Sequence, residues 1–152
     1  KKISQAPAAD YPVLAIAGSA SVKTDLNNVV SLGPLDGIHD ALAMCDAAVL
    51  PTWYDPCSRF ILEALAMGKP VITTRFNGAA ERFEDAKHGA ILDRPDHIPV
   101  LTAALRHFCR REQLALARKA ILNDNLADEV SITRHVKTLI GLYETILVRK
   151  ES

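Results

Sequence analysis

Over residues 13–92, short apolar runs alternate with segments in which apolar residues recur every three or four positions. Short apolar runs bounded by glycine, proline or polar residues are typical of buried strands, and apolar residues three or four positions apart are typical of helices. After a lead-in at residues 1–12, strands are predicted at residues 13–18, 29–33, 47–51, 70–74 and 89–92. Helices are predicted at residues 36–46, 59–67, a short segment at 77–83, two segments between 97 and 125, and 131–149.

Strands that alternate with helices predict a parallel sheet covered by helices on both faces. The chain is therefore predicted to be an α/β protein with a Rossmann-like, doubly wound parallel sheet and C-terminal helices. Ligands of such sheets bind beyond the carboxyl ends of the strands. The loops after Gly18, Gly33, Pro51 and Thr74 lie at that edge, so a binding site is expected there.

Composition narrows the class of protein without identifying a site. The 152 residues are 49% apolar and 24% charged, as in a soluble globular domain. Lysine plus arginine equals 18, as does aspartate plus glutamate, and this balance argues against nucleic acid as the main partner. The three cysteines and five histidines show no CxxC pair and no metal-ligand spacing, so we expect reduced thiols, no metal site and a cytoplasmic location.

The predicted helix at residues 59–67 begins with the features of an anion site. Ser58 is placed to cap its start and Gly68 to cap its end. The first turn of a helix leaves backbone N–H groups unpaired and carries the positive end of the helix dipole. Here those N–H groups belong to Ser58, Arg59 and Phe60, which predicts a site suited to phosphate.

Two carboxylates, Asp55 and Glu63, flank this helix start. Seven of the eight residues 60–67 are apolar, which predicts a helix buried nearly all round and makes an unpartnered Glu63 costly. Glu63 either pairs with Arg59 on a solvated stripe or faces a cleft and accepts hydrogen bonds from ligand hydroxyls. Asp55 alone, before a proline, is typical of a turn; its interest lies in its position on the other side of the helix start.

The stretch "DPCSRFILEALAMGKPVI", residues 55–72, resembles a motif of family 4 type retaining nucleotide-sugar glycosyltransferases. Their motif has the form E-P-F-G-x-x-x-x-E-A-x-A-x-G-x-P-V-I and lies in the C-terminal domain of the glycosyltransferase B fold. The following "NGAAE" and the preceding "VSLGPLDGIHDALAMCDAAVLPTWYDP" also resemble the family. The likeness covers residues 12–95, and the final helices fit it only by type.

The resemblance implies a role for each matching residue near the motif. Glu63 matches the acid that holds the donor ribose hydroxyls, and Asp55 matches the acid beside the transferred sugar. Cys57, Ser58 and Arg59 match the step whose backbone amides meet the donor diphosphate. Two residues depart from the family's pattern: Asp55 is one methylene shorter than the usual glutamate, and Ser58 replaces the usual glycine.

Residues upstream of the motif also match positions that border the donor in the family. Gly33, Pro34 and Leu35 match the loop beside the nucleobase, and Gly18 matches a glycine that lets the donor approach the backbone. The resemblance implies a nucleoside-diphosphate sugar as donor, a metal-independent retaining reaction and no cofactor.

The resemblance also implies that residues 1–152 are a single C-terminal donor-binding domain from a longer two-domain protein. The family's domain opens with a basic strand, and Lys1 and Lys2 lie in no recognisable copy of it. The acceptor, a sugar or a lipid-linked glycan, is then expected to bind a preceding N-terminal domain, and the chain alone is expected to be inactive.

Other functions stay open at the level of sequence. One is a non-catalytic nucleotide-binding module with the same Rossmann-like fold, and another is a signalling or scaffold domain without a nucleotide site. The basic stretch at residues 106–119 suits peripheral contact with an anionic membrane on the cytoplasmic face, although a solvated helix face is the favoured interpretation.

Overall fold

The computed structural model describes residues 12–19 and 25–150, the last two of these by their backbone alone. The predicted lead-in, apart from Pro12, and the basic pair Lys1 and Lys2 lie outside the described residues. The chain divides into two compact units, with the boundary between Ala41 and Leu42.

The first unit contains a two-stranded parallel sheet, formed by β1 (Leu14–Ala17) and β2 (Val29–Gly33). Both strands were predicted, but the prediction that they are buried is wrong, because β1 is exposed at every residue except the half-buried Ile16. An apolar run predicts the strand, but burial depends on what covers the two faces of the strand, which the run does not contain.

The second unit contains a three-stranded parallel sheet in the order β3-β4-β5. Its strands are β3 (Ala48–Leu50), β4 (Val71–Thr74) and β5 (Gly89–Leu92). The central strand β4 is buried at all four residues, as predicted. The hydroxyls of its two threonines are hydrogen-bonded to β3 and to the loop after it. Thr73 Oγ1 donates to the Leu50 carbonyl at 2.8 Å, and Thr74 Oγ1 donates to the Thr52 carbonyl.

Helices account for the rest of the regular structure in the described residues. They are α1 (His39–Met44), α2 (Arg59–Ala66), a 3₁₀ helix (Gly78–Arg82), α3 (Ile98–Phe108), α4 (Arg111–Asn123), α5 (Leu126–Glu129) and α6 (Ile132–Lys150). The two helices predicted between residues 97 and 125 and the final helix are confirmed. Helix α5 was missed because four residues are too few to show a helical period. Parallel strands with intervening helices confirm the predicted Rossmann-like α/β class.

Helix α2 is buried along one face rather than nearly all round. Ile61, Ala64 and Leu65 are buried, whereas Ala66 is exposed despite its apolar side chain. The prediction from composition was wrong because an apolar alanine tolerates solvent and carries little information about burial.

The cap at the end of α2 is Met67, and Gly68 follows it with φ 69°. The Gly68 N–H donates to the Leu65 carbonyl and the Lys69 N–H to the Ala64 carbonyl, both at 2.9 Å. These two bonds form the Schellman motif. Its first residue after the cap, here Gly68, has a left-handed backbone, which favours glycine. The prediction of Gly68 as the cap itself was therefore one residue too late.

The core of the second unit lies between its sheet and the helices that follow. Ile72 from β4 and Leu92 from β5 form one buried cluster with Phe108 from α3 and Ala117 from α4. The basic residues of the 106–119 stretch are mostly on the solvent side, as a solvated face requires; these are Arg106, Arg110, Arg111, Arg118 and Lys119. In the described part of the chain, no helix has the length and apolar character needed to cross a membrane.

A polar cluster joins the start of β5 to the end of α4. The buried His88 accepts from the Glu84 N–H through Nδ1 at 3.0 Å, and its Nε2 lies 2.7 Å from Asp124 Oδ2. Lys87 Nζ lies 2.7 Å from the same carboxylate oxygen. The hydrogen bond from Lys87, followed by that from His88, lowers the pKa of Asp124 below its ordinary value.

This pKa shift predicts an acid-sensitive contribution to stability. Because the pKa of Asp124 is lower in the folded chain than in the unfolded chain, protonation favours unfolding. The stabilisation is present above the unfolded pKa and is lost as the pH falls, over roughly pH 5 to 3. Thermal melts at several pH values should show a steeper acid loss of Tm in the wild type than in Asp124→Asn. Asp36→Asn, which removes an exposed carboxylate, is the control; an identical slope in all three proteins would contradict the prediction.

Candidate functional site

The start of α2 leaves two backbone donors for a ligand. Ser58 caps the helix as predicted, with Oγ accepting from the Ile61 N–H at 3.4 Å. The expectation of an unpaired Ser58 N–H is wrong, because this group donates to Asn77 Oδ1 at 3.2 Å. The N–H groups of Arg59 and Phe60 have no hydrogen-bond partner among the residues that the structure describes. Two adjacent donors at the positive end of a helix suit an anion.

Asn77 holds this helix start in place from the neighbouring loop. Its side chain is 1% exposed, and Oδ1 accepts from both Ser58 and the Ala79 N–H, the latter at 3.0 Å. Its Nδ2 donates to Thr73 Oγ1 at 3.1 Å, which ties the amide to β4. Sequence reasoning missed Asn77 as part of the site, although an Asn-Gly pair three residues after a buried strand is a recognisable turn signal.

Asp55 lies half-buried beyond β3 and links two loops. Its backbone N–H donates to the Phe76 carbonyl at 3.2 Å, and its own carbonyl accepts from the Gly78 N–H at 2.9 Å. Its Oδ1 accepts from the Cys57 N–H at 3.1 Å, so the turn interpretation of the Asp-Pro pair is confirmed. The Cys57 N–H is thereby already used within the chain.

The loop carrying Asp55 passes very close to the 3₁₀ helix. A Cβ atom on Gly78 would lie 1.9 Å from the Pro56 carbonyl oxygen, far inside contact distance. Glycine is therefore required at residue 78 for the two loops to meet, and this approach places Asp55 beside the start of α2.

Glu63 pairs with Arg59 across one turn of α2. Arg59 Nη2 donates to Glu63 Oε1 at 3.3 Å, with the arginine side chain 90% exposed and the glutamate side chain 26% exposed. This is the arrangement of the first sequence alternative, a pair on one helix face. Such exposed pairs contribute about 0–1 kcal/mol, so Arg59 offers little resistance to a ligand that competes for Glu63.

The upstream site residues all belong to the first unit. Gly18 and Gly33 have φ values of 134° and 70°, where side chains are strained, and the Gly18 N–H donates to the Gly33 carbonyl at 2.8 Å. Pro34 and Leu35 follow directly and are exposed.

The chemistry of the described residues offers donors and carboxylates rather than a preformed metal site. No group of three or more His, Cys, Asp or Glu side chains within the described ranges could hold a metal ion. Cys45, Cys57 and Cys109 are free thiols. A ligand with an anionic centre and hydroxyl groups matches the α2 start and the two acids on either side of it.

Comparison with known proteins gives the family of the chain. The family model described as "Glycosyl transferases group 1" matches residues 2–111. Among curated proteins, a relative assigned as a glycosyltransferase of teichuronic acid biosynthesis, TuaC of Bacillus subtilis strain 168, is 26% identical over 142 residues. That match covers 90% of this chain and 36% of the relative, so the chain spans about a third of the relative's length.

Solved structures show the same fold. A glycosyltransferase from Rickettsia africae has a TM-score of 0.64 at 18% identity and covers 80% of this chain, which spans 32% of that protein. Anabaena HepE, solved in complex with UDP and glucose, has a TM-score of 0.63 at 21% identity, with coverage of 78% and 32%. Since the family model matches most of the chain, the chain belongs to the glycosyl transferases group 1 family.

Proposed function

We propose that this chain is the donor-binding half of a retaining, metal-independent glycosyltransferase, which moves a sugar from a nucleoside-diphosphate sugar to an acceptor. The observation that carries the proposal is the start of α2, where the N–H groups of Arg59 and Phe60 are available between Asp55 and Glu63. A neighbour of the same fold, HepE, is known in complex with UDP and with UDP-glucose, which supports this class of donor.

In the proposed reaction, the donor diphosphate lies against the first turn of α2. The two N–H groups and the helix dipole stabilise the negative charge that grows on the diphosphate as the sugar leaves. Asn77 contributes indirectly by holding Ser58, so that the following two N–H groups keep their positions. Glu63 accepts from the ribose hydroxyls, and Asp55 lies beside the transferred sugar.

The acceptor site is proposed to lie outside these 152 residues. Holding an acceptor against the anomeric carbon can supply about 7–11 kcal/mol of a barrier, so a chain that binds only the donor would not transfer sugar. The acceptor, a sugar or a lipid-linked glycan, would be held by the remainder of the full-length protein.

A two-part experiment tests this function. Calorimetric titration of the chain with UDP, GDP and ADP should detect binding of at least one diphosphate, and the full-length protein should transfer sugar from the matching donor in EDTA. No binding of any diphosphate would favour a scaffold domain, and binding without turnover of the full-length protein would favour a non-catalytic module. Loss of turnover in EDTA with rescue by manganese or magnesium would refute the metal-independent reaction.

Glu63→Ala should weaken diphosphate binding by roughly 10- to 100-fold. A hydrogen bond to a charged group contributes about 1.5–3 kcal/mol, and each 1.4 kcal/mol changes affinity about tenfold. Calorimetry of the wild type and the variant measures the effect. Arg59→Ala is the matched control, because it breaks the same ion pair and leaves the carboxylate. If both substitutions changed the diphosphate affinity by the same small amount, Glu63 would be only the ion-pair partner of Arg59.

A further inference from the structure

An aromatic surface lies at the carboxyl edge of the three-stranded sheet. Trp53 follows β3, Phe76 follows β4 and Arg94 follows β5, so each strand contributes one member. The ring centroids of Trp53 and Phe76 are 5.7 Å apart at 40°, and the Arg94 guanidinium lies 5.2 Å from the centre of the indole ring. We call these three residues the aromatic edge.

Hydrogen bonds to Asp96 and Asp55 hold parts of the aromatic edge in place. Arg94 is fixed by two hydrogen bonds to Asp96, Nε to Oδ1 and Nη2 to Oδ2, both at 2.9 Å. The Phe76 carbonyl accepts from the Asp55 N–H, which ties the loop of the phenyl ring to the loop of the indole. Trp53 nevertheless stays 54% exposed and Phe76 41% exposed. A pair of exposed, contacting rings at the edge of the sheet where ligands bind is a candidate binding surface.

We propose that the aromatic edge binds a pyranose ring, with Trp53 as the stacking residue. A pyranose has an apolar face of C–H groups and a polar rim of hydroxyls, and an indole ring can cover the first while neighbouring charges meet the second. Asp55, two residues from Trp53, supplies a carboxylate acceptor, and the Arg94–Asp96 pair supplies further donors and acceptors. This inference rests on the proposed function, and it adds a sugar-recognition site that the diphosphate and ribose contacts do not provide.

A protein partner is the competing occupant, because exposed Trp and Arg residues are also common in the centres of protein interfaces. The position of the patch favours the sugar. Its three members come from the carboxyl ends of adjacent parallel strands, where ligands of such sheets bind, and they adjoin the half-buried Asp55.

Trp53 is the only tryptophan in the chain, so its fluorescence reports on this site alone. The wild-type chain is titrated with UDP, UDP-glucose, GDP, GDP-mannose, methyl glucoside and methyl mannoside. Affinities of Trp53→Ala, Trp53→Phe and Tyr143→Ala are measured by calorimetry. Trp53→Phe keeps an aromatic face, and Tyr143→Ala removes an exposed ring from α6 as the matched control.

The expected result is that Trp53→Ala weakens a nucleotide sugar about tenfold, leaves the bare diphosphate unchanged and is largely rescued in Trp53→Phe. This outcome assigns the ring to the donor. A response to the free glycosides that Trp53→Ala abolishes shows that the ring binds a sugar without its nucleotide and also supports the inference.

Three results would overturn it. Sugar affinities that do not depend on Trp53 would remove the stacking role, and equal losses of sugar and bare diphosphate would show general support of the loop instead. Trp53 fluorescence in the 152-residue chain that is blue-shifted and insensitive to every sugar would assign the patch to a protein interface. If no diphosphate binds, the proposed function fails, and the two free glycosides alone decide whether the aromatic edge binds sugar.

Discussion

Gly78→Ala should destabilise the chain by about 3 kcal/mol or more, because the new Cβ would lie 1.9 Å from the Pro56 carbonyl oxygen. Neither atom belongs to a flexible side chain, so the loop carrying Asp55 must move away from the 3₁₀ helix. The movement would also stretch the hydrogen bond from the Gly78 N–H to the Asp55 carbonyl, which is 2.9 Å long. A loss of this size lowers the folding equilibrium constant more than a hundredfold.

Urea unfolding of the purified chain measures this effect. Gly141→Ala is the matched control, because a Cβ at that position in α6 meets nothing within 4 Å. The control should be as stable as the wild type or about 0.5–1 kcal/mol more stable, since alanine favours helix more than glycine does. If Gly78→Ala unfolded at the same urea concentration as Gly141→Ala, the close approach of the two loops would be refuted.

Asp55→Asn should lower sugar transfer by the full-length protein about 10²–10³-fold while leaving affinity for the bare diphosphate nearly unchanged. An asparagine keeps an Oδ1 acceptor for the Cys57 N–H, so the turn before α2 is preserved. What it removes is the negative charge that we propose lies beside the transferred sugar, and charge placed where a transition state develops its own charge has effects of this size.

Comparison with Asp55→Ala separates charge from structure. The alanine variant loses the bond to Cys57 as well, so it should lose some diphosphate affinity in addition to transfer. Steady-state kinetics gives kcat for all three proteins, and calorimetry gives the diphosphate affinity. Parallel losses of transfer and diphosphate binding in Asp55→Asn would contradict a role for Asp55 at the sugar.

Local features of the α2 region could be predicted from the sequence because they depend on residues close in the chain. The hydroxyl of Ser58 reaches an N–H three residues later, and Gly68 follows the helix end because its left-handed conformation suits glycine. The five strands were predicted by apolar runs between turn residues. The pair of acids around the helix start was likewise visible as a spacing, whereas their roles toward a donor stay a prediction.

Burial depended on neighbours that a local pattern does not contain. The apolar runs of β1 and β4 look alike in sequence, yet β4 is buried at all four residues and β1 is exposed at three of its four. Ala66 likewise points to solvent in a helix of almost entirely apolar composition.

The sequence by itself determined the strands, most of the helices, the α2 cap and the two acids that flank it. Only the tertiary structure decided which backbone N–H groups at the start of α2 remain unpaired within the described residues. Asn77 lies 19 residues after Ser58 and reaches it because parallel pairing of β3 and β4 brings their carboxyl ends together. The same pairing sets Pro56 against Gly78 and Trp53 against Phe76. Contacts between residues this far apart arise from the pairing of whole strands, and no period or cap in either segment encodes them.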